Sequence, residues 1–141
     1  MERLSVPGTL DSLQAIAQYV LAAAAAAGLD KKASYKLRLA VDEIATNIIT
    51  YGYEQAGWEG VVDLGADIDE KTVTIYIEDT APRFDPFEKL ALEESRLDLP
   101  MAERPMGGLG VYLAIEGVDK FVYERLKDRN RNVFVVNRVA A

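Results

Sequence analysis

The spacing of the apolar residues changes at Gly57, and that change fixes the fold class. Before Gly57 the apolar positions recur at helical spacing: Leu13, Ile16, Ala17, Val20, Leu21 and Ala24 form one stripe, and Leu37, Val41, Ile44 and Ile48 form another. After Gly57 they alternate. Val62, Leu64, Ala66 and Ile68 share one parity, Asp69-Glu70 makes a turn, and Val73, Ile75 and Ile77 alternate again. Two amphipathic helices followed by an antiparallel hairpin predict an α+β chain, with helices covering one face of a mostly antiparallel sheet and the other face wetter.

Local punctuation sharpens this outline. Leu4-Ser5-Val6 reads as a short strand closed by Pro7-Gly8, and Thr9 is placed to cap the first helix, which the alanines at 22–27 favour and Gly28 stops. The second helix is expected from about Lys31 to Tyr51, with Gly52 as its terminator. From Pro82 to Met106 the periodicity fades, with prolines at 82, 86, 100 and 105; only Asp85 to Glu94 reads as a short helix within this long loop. A third helix is expected to open in the glycines at 107, 108 and 110 and end near Gly117. A last hairpin is expected from Lys120–Leu126 and Val133–Val139, joined by a charged turn over 127–131. No repeat or linker interrupts the 141 residues, so one domain over 1–141 is expected.

Composition removes several kinds of chemistry. The chain has no cysteine and no histidine, which excludes disulfides, thiolate nucleophiles, histidine bases, histidine-ligated zinc and a phospho-histidine acceptor within it. A net charge of −7 argues against nucleic-acid binding by phosphate neutralisation. Met1-Glu2-Arg3-Leu4 carries no apolar signal core, and the apolar stretch from Val20 to Ala27 is too short to span a bilayer. A cytoplasmic protein with no membrane partner is the expectation.

Three groups of residues carry candidate chemistry. Glu43 and Asn47 stack one helical turn apart at the rim of the buried face, where a carboxylate and an amide oxygen can hold Mg²⁺ and orient a hydroxyl, or simply form a solvated flank. Asp79 shares the parity of Val73, Ile75 and Ile77, so the pleat points it inward. A carboxylate there needs donors, which the amino group of a purine supplies; capping the turn at Thr80-Ala81-Pro82 is the plainer role. Gly107-Gly108-Leu109-Gly110 opens a helix whose free amides suit phosphates, or serves as a hinge. It is not a Walker A loop, because no Lys-Ser/Thr follows the last glycine.

The order of these groups resembles the bacterial anti-sigma-factor serine/threonine kinases, members of the ATPase superfamily shared with gyrase B, heat-shock chaperone ATPases and sensor histidine kinases. Leu39-Ala40-Val41-Asp42-Glu43-Ile44-Ala45-Thr46-Asn47-Ile48-Ile49 looks like that family's N box. Ile77-Glu78-Asp79-Thr80-Ala81-Pro82-Arg83-Phe84-Asp85-Pro86 looks like its adenine box and Phe-Asp-Pro element, and Met106-Gly107-Gly108-Leu109-Gly110-Val111-Tyr112-Leu113 like its phosphate box. The resemblance runs from about Leu4 to Val139.

That resemblance implies a histidine-kinase-like ATPase sandwich with a mobile ATP lid, and ATP and Mg²⁺ as cofactors. Glu43 would activate the substrate hydroxyl, Asn47 would ligate Mg²⁺, and Asp79 and Ala81 would meet the adenine. Gly107, Gly108, Leu109 and Gly110 would wrap the phosphates, and Arg104 would approach the γ-phosphate or the protein substrate. It implies transfer of phosphate to a STAS-type anti-sigma-factor antagonist, sequestration of a sigma factor, and so transcription regulation. A homodimer is a family expectation, with no face of the sequence to assign to it. The alternative is a catalytically silent module of the same fold that acts by partner binding alone. Two positions depart from the family pattern: Ala81 replaces a glycine, where a methyl restricts positive φ and crowds the base, and Tyr51 stands where many relatives carry histidine.

Overall fold

A computed structural model describes residues 1–97 and 110–138. Strand β1 (Leu4–Pro7) leads through a 3-10 turn, Leu10–Ser12, into helix α1 (Leu13–Ala26). Thr9 precedes that turn, but its side chain makes no capping bond; the Ser12 hydroxyl instead donates to the Pro7 carbonyl at 2.7 Å. The alanine block serves close packing. Ala23, Ala24 and Ala27 are buried, and Gly28, at φ +76°, ends the run.

Helix α2 (Lys31–Asn47) starts because the Asp30 carboxylate accepts the Ala33 amide at 2.7 Å. Its end corrects the sequence expectation. The chain widens into a π-helical stretch, Ile48–Glu54, and Gly52 lies inside it as a buried residue. The wider turn carries Ile48, Ile49, Gly52 and Tyr53 inward together and leaves Tyr51 exposed. Tyr53 then pins this stretch to the sheet, donating its hydroxyl to the Val61 carbonyl at 2.7 Å and accepting the Thr80 amide at 3.0 Å.

The sheet contains β2 (Val61–Ile68), β3 (Thr72–Asp79), β4 (Lys120–Leu126) and β5 (Arg129–Asn137), in the order β1-β2-β3-β5-β4. Every pairing is antiparallel. The β2–β3 turn is set by Asp69, whose carboxylate accepts the amides of Lys71 and Thr72 at 2.7 and 2.8 Å. The last hairpin is tighter than expected. Its turn is Lys127-Asp128, with Lys127 at φ +51°, and β5 begins at Arg129. Asn130, expected in a turn, is thereby registered opposite Asp79.

Helices α3 (Pro86–Leu97) and α4 (Gly110–Glu116) complete the helical layer beside α2. The core lies between the layers, where Ile16, Val20, Leu37, Val41 and Ile44 meet Leu64, Val73, Ile75, Ile77 and Phe134. Each such fully buried aliphatic side chain contributes about 1.5–3 kcal/mol. Outward positions are polar: Arg3 pairs with Glu78, and Arg129 with Asp63. The fold is a two-layer α+β sandwich. Among the described residues no helix is long and apolar enough to cross a membrane.

Candidate nucleotide site

At the end of β3 the pleat carries Asp79 inward, as its parity requires, and the side chain is 1% exposed. One carboxylate oxygen, Oδ1, accepts the Ala81 amide at 3.0 Å and the Asn130 side-chain amide at 2.9 Å. The other, Oδ2, is buried with no hydrogen-bond partner among the described residues. Burial pushes the carboxyl above its usual range, and the bonds from Asn130 and Ala81 offset part of that. Asp79 therefore closes the turn with one oxygen and keeps the second as an unfilled acceptor, which is costly unless a donor arrives.

Asn130 organises everything around that acceptor. Its amide nitrogen also donates to the carbonyls of Ala81 and Pro82 at 3.1 Å each, and its oxygen accepts the Phe84 amide at 3.3 Å and the Tyr123 hydroxyl. Ala81 is buried and takes an ordinary negative φ, since Lys127 is the only non-glycine described residue with a positive one. Its methyl faces Gly52, where an added Cβ would sit 3.0 Å away. The substitution of alanine for glycine is thus accommodated by the glycine across from it.

On α2, Asn47 is 4% exposed. Its oxygen accepts the Lys89 ammonium at 3.0 Å, while its buried nitrogen has no partner among the described residues. Lys89 also lies 4.8 Å above the Tyr51 ring, which stacks on Phe84 at 6.4 Å between centroids. Tyr51 at this position thus steadies a lysine and a neighbouring ring. Helix α3 is set here by its own start, where Pro86 occupies the first turn and the Asp85 carboxylate accepts the Phe87 amide at 2.9 Å. Glu93, one turn beyond Lys89, is fully buried and accepts the amides of Val111 and Tyr112 at 3.2 and 2.7 Å. The half-buried Glu43 side chain lies against Gly110, where any Cβ would collide with the carboxylate.

A relay of contacts runs from Asp79 through Asn130 to Phe84, whose ring stacks on Tyr51, and through Lys89 to Asn47; Glu93 of the same helix reaches the start of α4, where Gly110 abuts Glu43. Arg104, Gly107, Gly108 and Leu109 lie outside the described residues. Sequence reasoning missed Asn130, Lys89 and Glu93. Only the last two left a trace, a lysine and a glutamate at a four-residue spacing beside Leu90.

An inward acid with an unfilled acceptor, an amide oxygen on a lysine ammonium and a carboxylate against a helix start thus lie on the helical side of an antiparallel sheet. Residues 6–136 match the Histidine kinase-like ATPase domain, and the chain belongs to that family. Comparison with curated proteins yields no match. Domains of this family bind ATP, usually with Mg²⁺. The donor set fits both: Asp79 Oδ2 offers an acceptor for an exocyclic amine, and Asn47 Oδ1 is an oxygen donor of the kind Mg²⁺ takes, bonded here to the Lys89 ammonium.

Proposed function

We propose that this chain is an ATP-dependent protein serine/threonine kinase that acts as an anti-sigma factor. Its substrate is a hydroxyl on a STAS-type antagonist, and its other partner is a sigma factor. The observation that carries the reading is the buried Oδ2 of Asp79, which has no partner among the described residues and is joined through Asn130, Phe84, Tyr51 and Lys89 to the helix that bears Asn47 and Glu43. ATP supplies the phosphoryl group. Asp79 would hold the adenine amine, and Asn47 would hold Mg²⁺, which accepts a single amide ligand because it keeps several waters. Glu43 would take the proton from the attacking hydroxyl. The remaining catalysis is positioning and charge neutralisation, as phosphoryl transfer requires.

A second reading, a silent partner-binding module of the same fold, is favoured by one observation: Lys89 and Glu93 fill part of the site. Labelled ATP incubated with a candidate antagonist separates the two. Label on the antagonist supports the kinase, and nucleotide binding without transfer to any hydroxyl partner supports the module.

A further inference from the structure

The β2–β3 ladder stops one bond short, and a side chain stops it. In an antiparallel pair, alternate residues turn their main-chain groups toward the partner strand. Gly8 donates to the Gly60 carbonyl at 2.9 Å, so the even-numbered residues of β2 bond to β1 and the odd-numbered ones face β3. Asp69, which donates to the Thr72 carbonyl at 3.0 Å, keeps the same phase at the far end of the hairpin. The register that sets Val62 opposite Asp79 therefore makes Val61 and Thr80 the next bonding pair, with the Thr80 amide due on the Val61 carbonyl.

The Tyr53 hydroxyl stands in that place. It donates to the Val61 carbonyl at 2.7 Å and accepts the Thr80 amide at 3.0 Å. Two bonds thus span a gap that a single one of about 2.9 Å ordinarily closes. The ring is fixed there. Tyr53 is 2% exposed and lies against both Gly8 and Gly60. A Cβ on Gly8 would sit 2.5 Å from the ring, and one on Gly60 would sit 2.8 Å from the ring and 2.9 Å from the hydroxyl. A larger residue at either position would push the hydroxyl out of the ladder.

What the gap serves comes next in the chain. Beyond Asp79 the backbone leaves the ladder and folds back, bringing the Ala81 amide onto Asp79 Oδ1 and the carbonyls of Ala81 and Pro82 onto Asn130. Asp79 Oδ2 stays an acceptor without a partner among the described residues. A direct bond from Thr80 to Val61 would extend β3 by a residue and draw this turn toward β2. Tyr53 also belongs to the π-helical stretch that continues from Asn47, so one short segment ties the amide of α2 to the exit of β3.

We propose that Tyr53 is a positioning residue of the nucleotide site: its hydroxyl, inserted in the β2–β3 ladder, holds the β3 exit open and so aims Asp79 Oδ2 at the purine amine. This rests on the nucleotide reading above. The hydroxyl acts through the Thr80 backbone, so its loss falls on recognition of the base and spares the phosphates.

The test is Tyr53→Phe, which keeps the ring and removes the hydroxyl, with Mg-ADP and Mg-IDP affinities measured by calorimetry. Hypoxanthine carries an oxygen where adenine carries its amine, so the ratio of the two affinities reports the Asp79 contact. Mg-ADP should bind roughly tenfold more weakly to the variant while Mg-IDP changes little, and the ratio shrinks by the same factor. Gly60→Ala keeps the hydroxyl but crowds it, and should shrink the ratio in the same direction; it decides the matter where Tyr53→Phe does not fold. Unchanged affinities, or equal weakening of both nucleotides with the ratio kept, would give Tyr53 a purely structural role and overturn the proposal. A wild-type chain that binds the two nucleotides alike overturns Asp79 as the purine acceptor, and one that binds neither overturns the nucleotide reading itself.

Discussion

Replacing Asn130 with alanine is the sharpest test of how the candidate site is held. The side chain makes five contacts at the β3 exit: to the Asp79 carboxylate at 2.9 Å, to the carbonyls of Ala81 and Pro82, from the Phe84 amide and from the Tyr123 hydroxyl. Losing the bond to an ionised, buried Asp79 costs about 1.5–3 kcal/mol, and the other orphaned groups add on the order of 1 kcal/mol where water does not reach them. The expected loss is about 3–4 kcal/mol, or roughly 10 °C in Tm for a domain of this size. Urea unfolding at constant m measures it. The loss should depend on pH. Asp79 already titrates above its usual range because it is buried, and the Asn130 bond is the largest of the interactions that offset this, ahead of the Ala81 amide and the charges of Arg125 and Arg129. Removing the bond raises that pKa further, so the variant's deficit is largest at neutral pH and shrinks in acid, as Asp79 takes up its proton. A deficit below about 1 kcal/mol, or one that is the same at both pH values, would refute the reasoning.

The remaining expectations concern the chemistry. Glu43→Ala should lower phosphotransfer by roughly 10²- to 10⁴-fold with nucleotide affinity nearly intact, read by label transfer and calorimetry; unchanged transfer removes Glu43 from the reaction. Gly110→Ala places a methyl on the Glu43 carboxylate, the end of a flexible side chain. It should therefore cost little stability yet slow transfer by about a hundredfold through displacement of that group, and a large drop in Tm with normal transfer would contradict this. Nucleotide binding favours ionised Asp79, so affinity should fall by up to about tenfold per pH unit as pH drops through its raised pKa. The Asp79→Asn variant should bind more weakly and show a flat profile.

The sequence exposed those parts of the fold that rest on period and parity. Alternation through Val73, Ile75 and Ile77 was enough to turn Asp79 inward, and the helical stripe placed Glu43 and Asn47 on one helix. Features set by backbone detail were not legible. The widening after Asn47 leaves no periodic signature, so Gly52 read as a stop, whereas it lies buried against the Ala81 methyl. The charged run at 127–131 read as a long turn, which hid Asn130; a positive φ at Lys127 closes the turn in two residues and returns Asn130 to the strand. Lys89 and Glu93 were hidden for a different reason. Charges at helical spacing ordinarily face solvent, and only the unmet amide of Asn47 and the amides of Val111 and Tyr112 turn them inward.

The claim that Asp79 is a purine-amine acceptor is tested most directly by base discrimination. In Mg-ITP a carbonyl oxygen replaces the exocyclic amine of Mg-ATP and the neighbouring ring nitrogen carries a proton, so the oxygen at the amine's position would face a carboxylate with nothing to donate. Calorimetry on the wild-type chain should show ATP bound about a hundredfold or more tighter than ITP, with the gap collapsing in Asp79→Asn. Equal affinities for the two nucleotides in the wild-type chain would contradict the account.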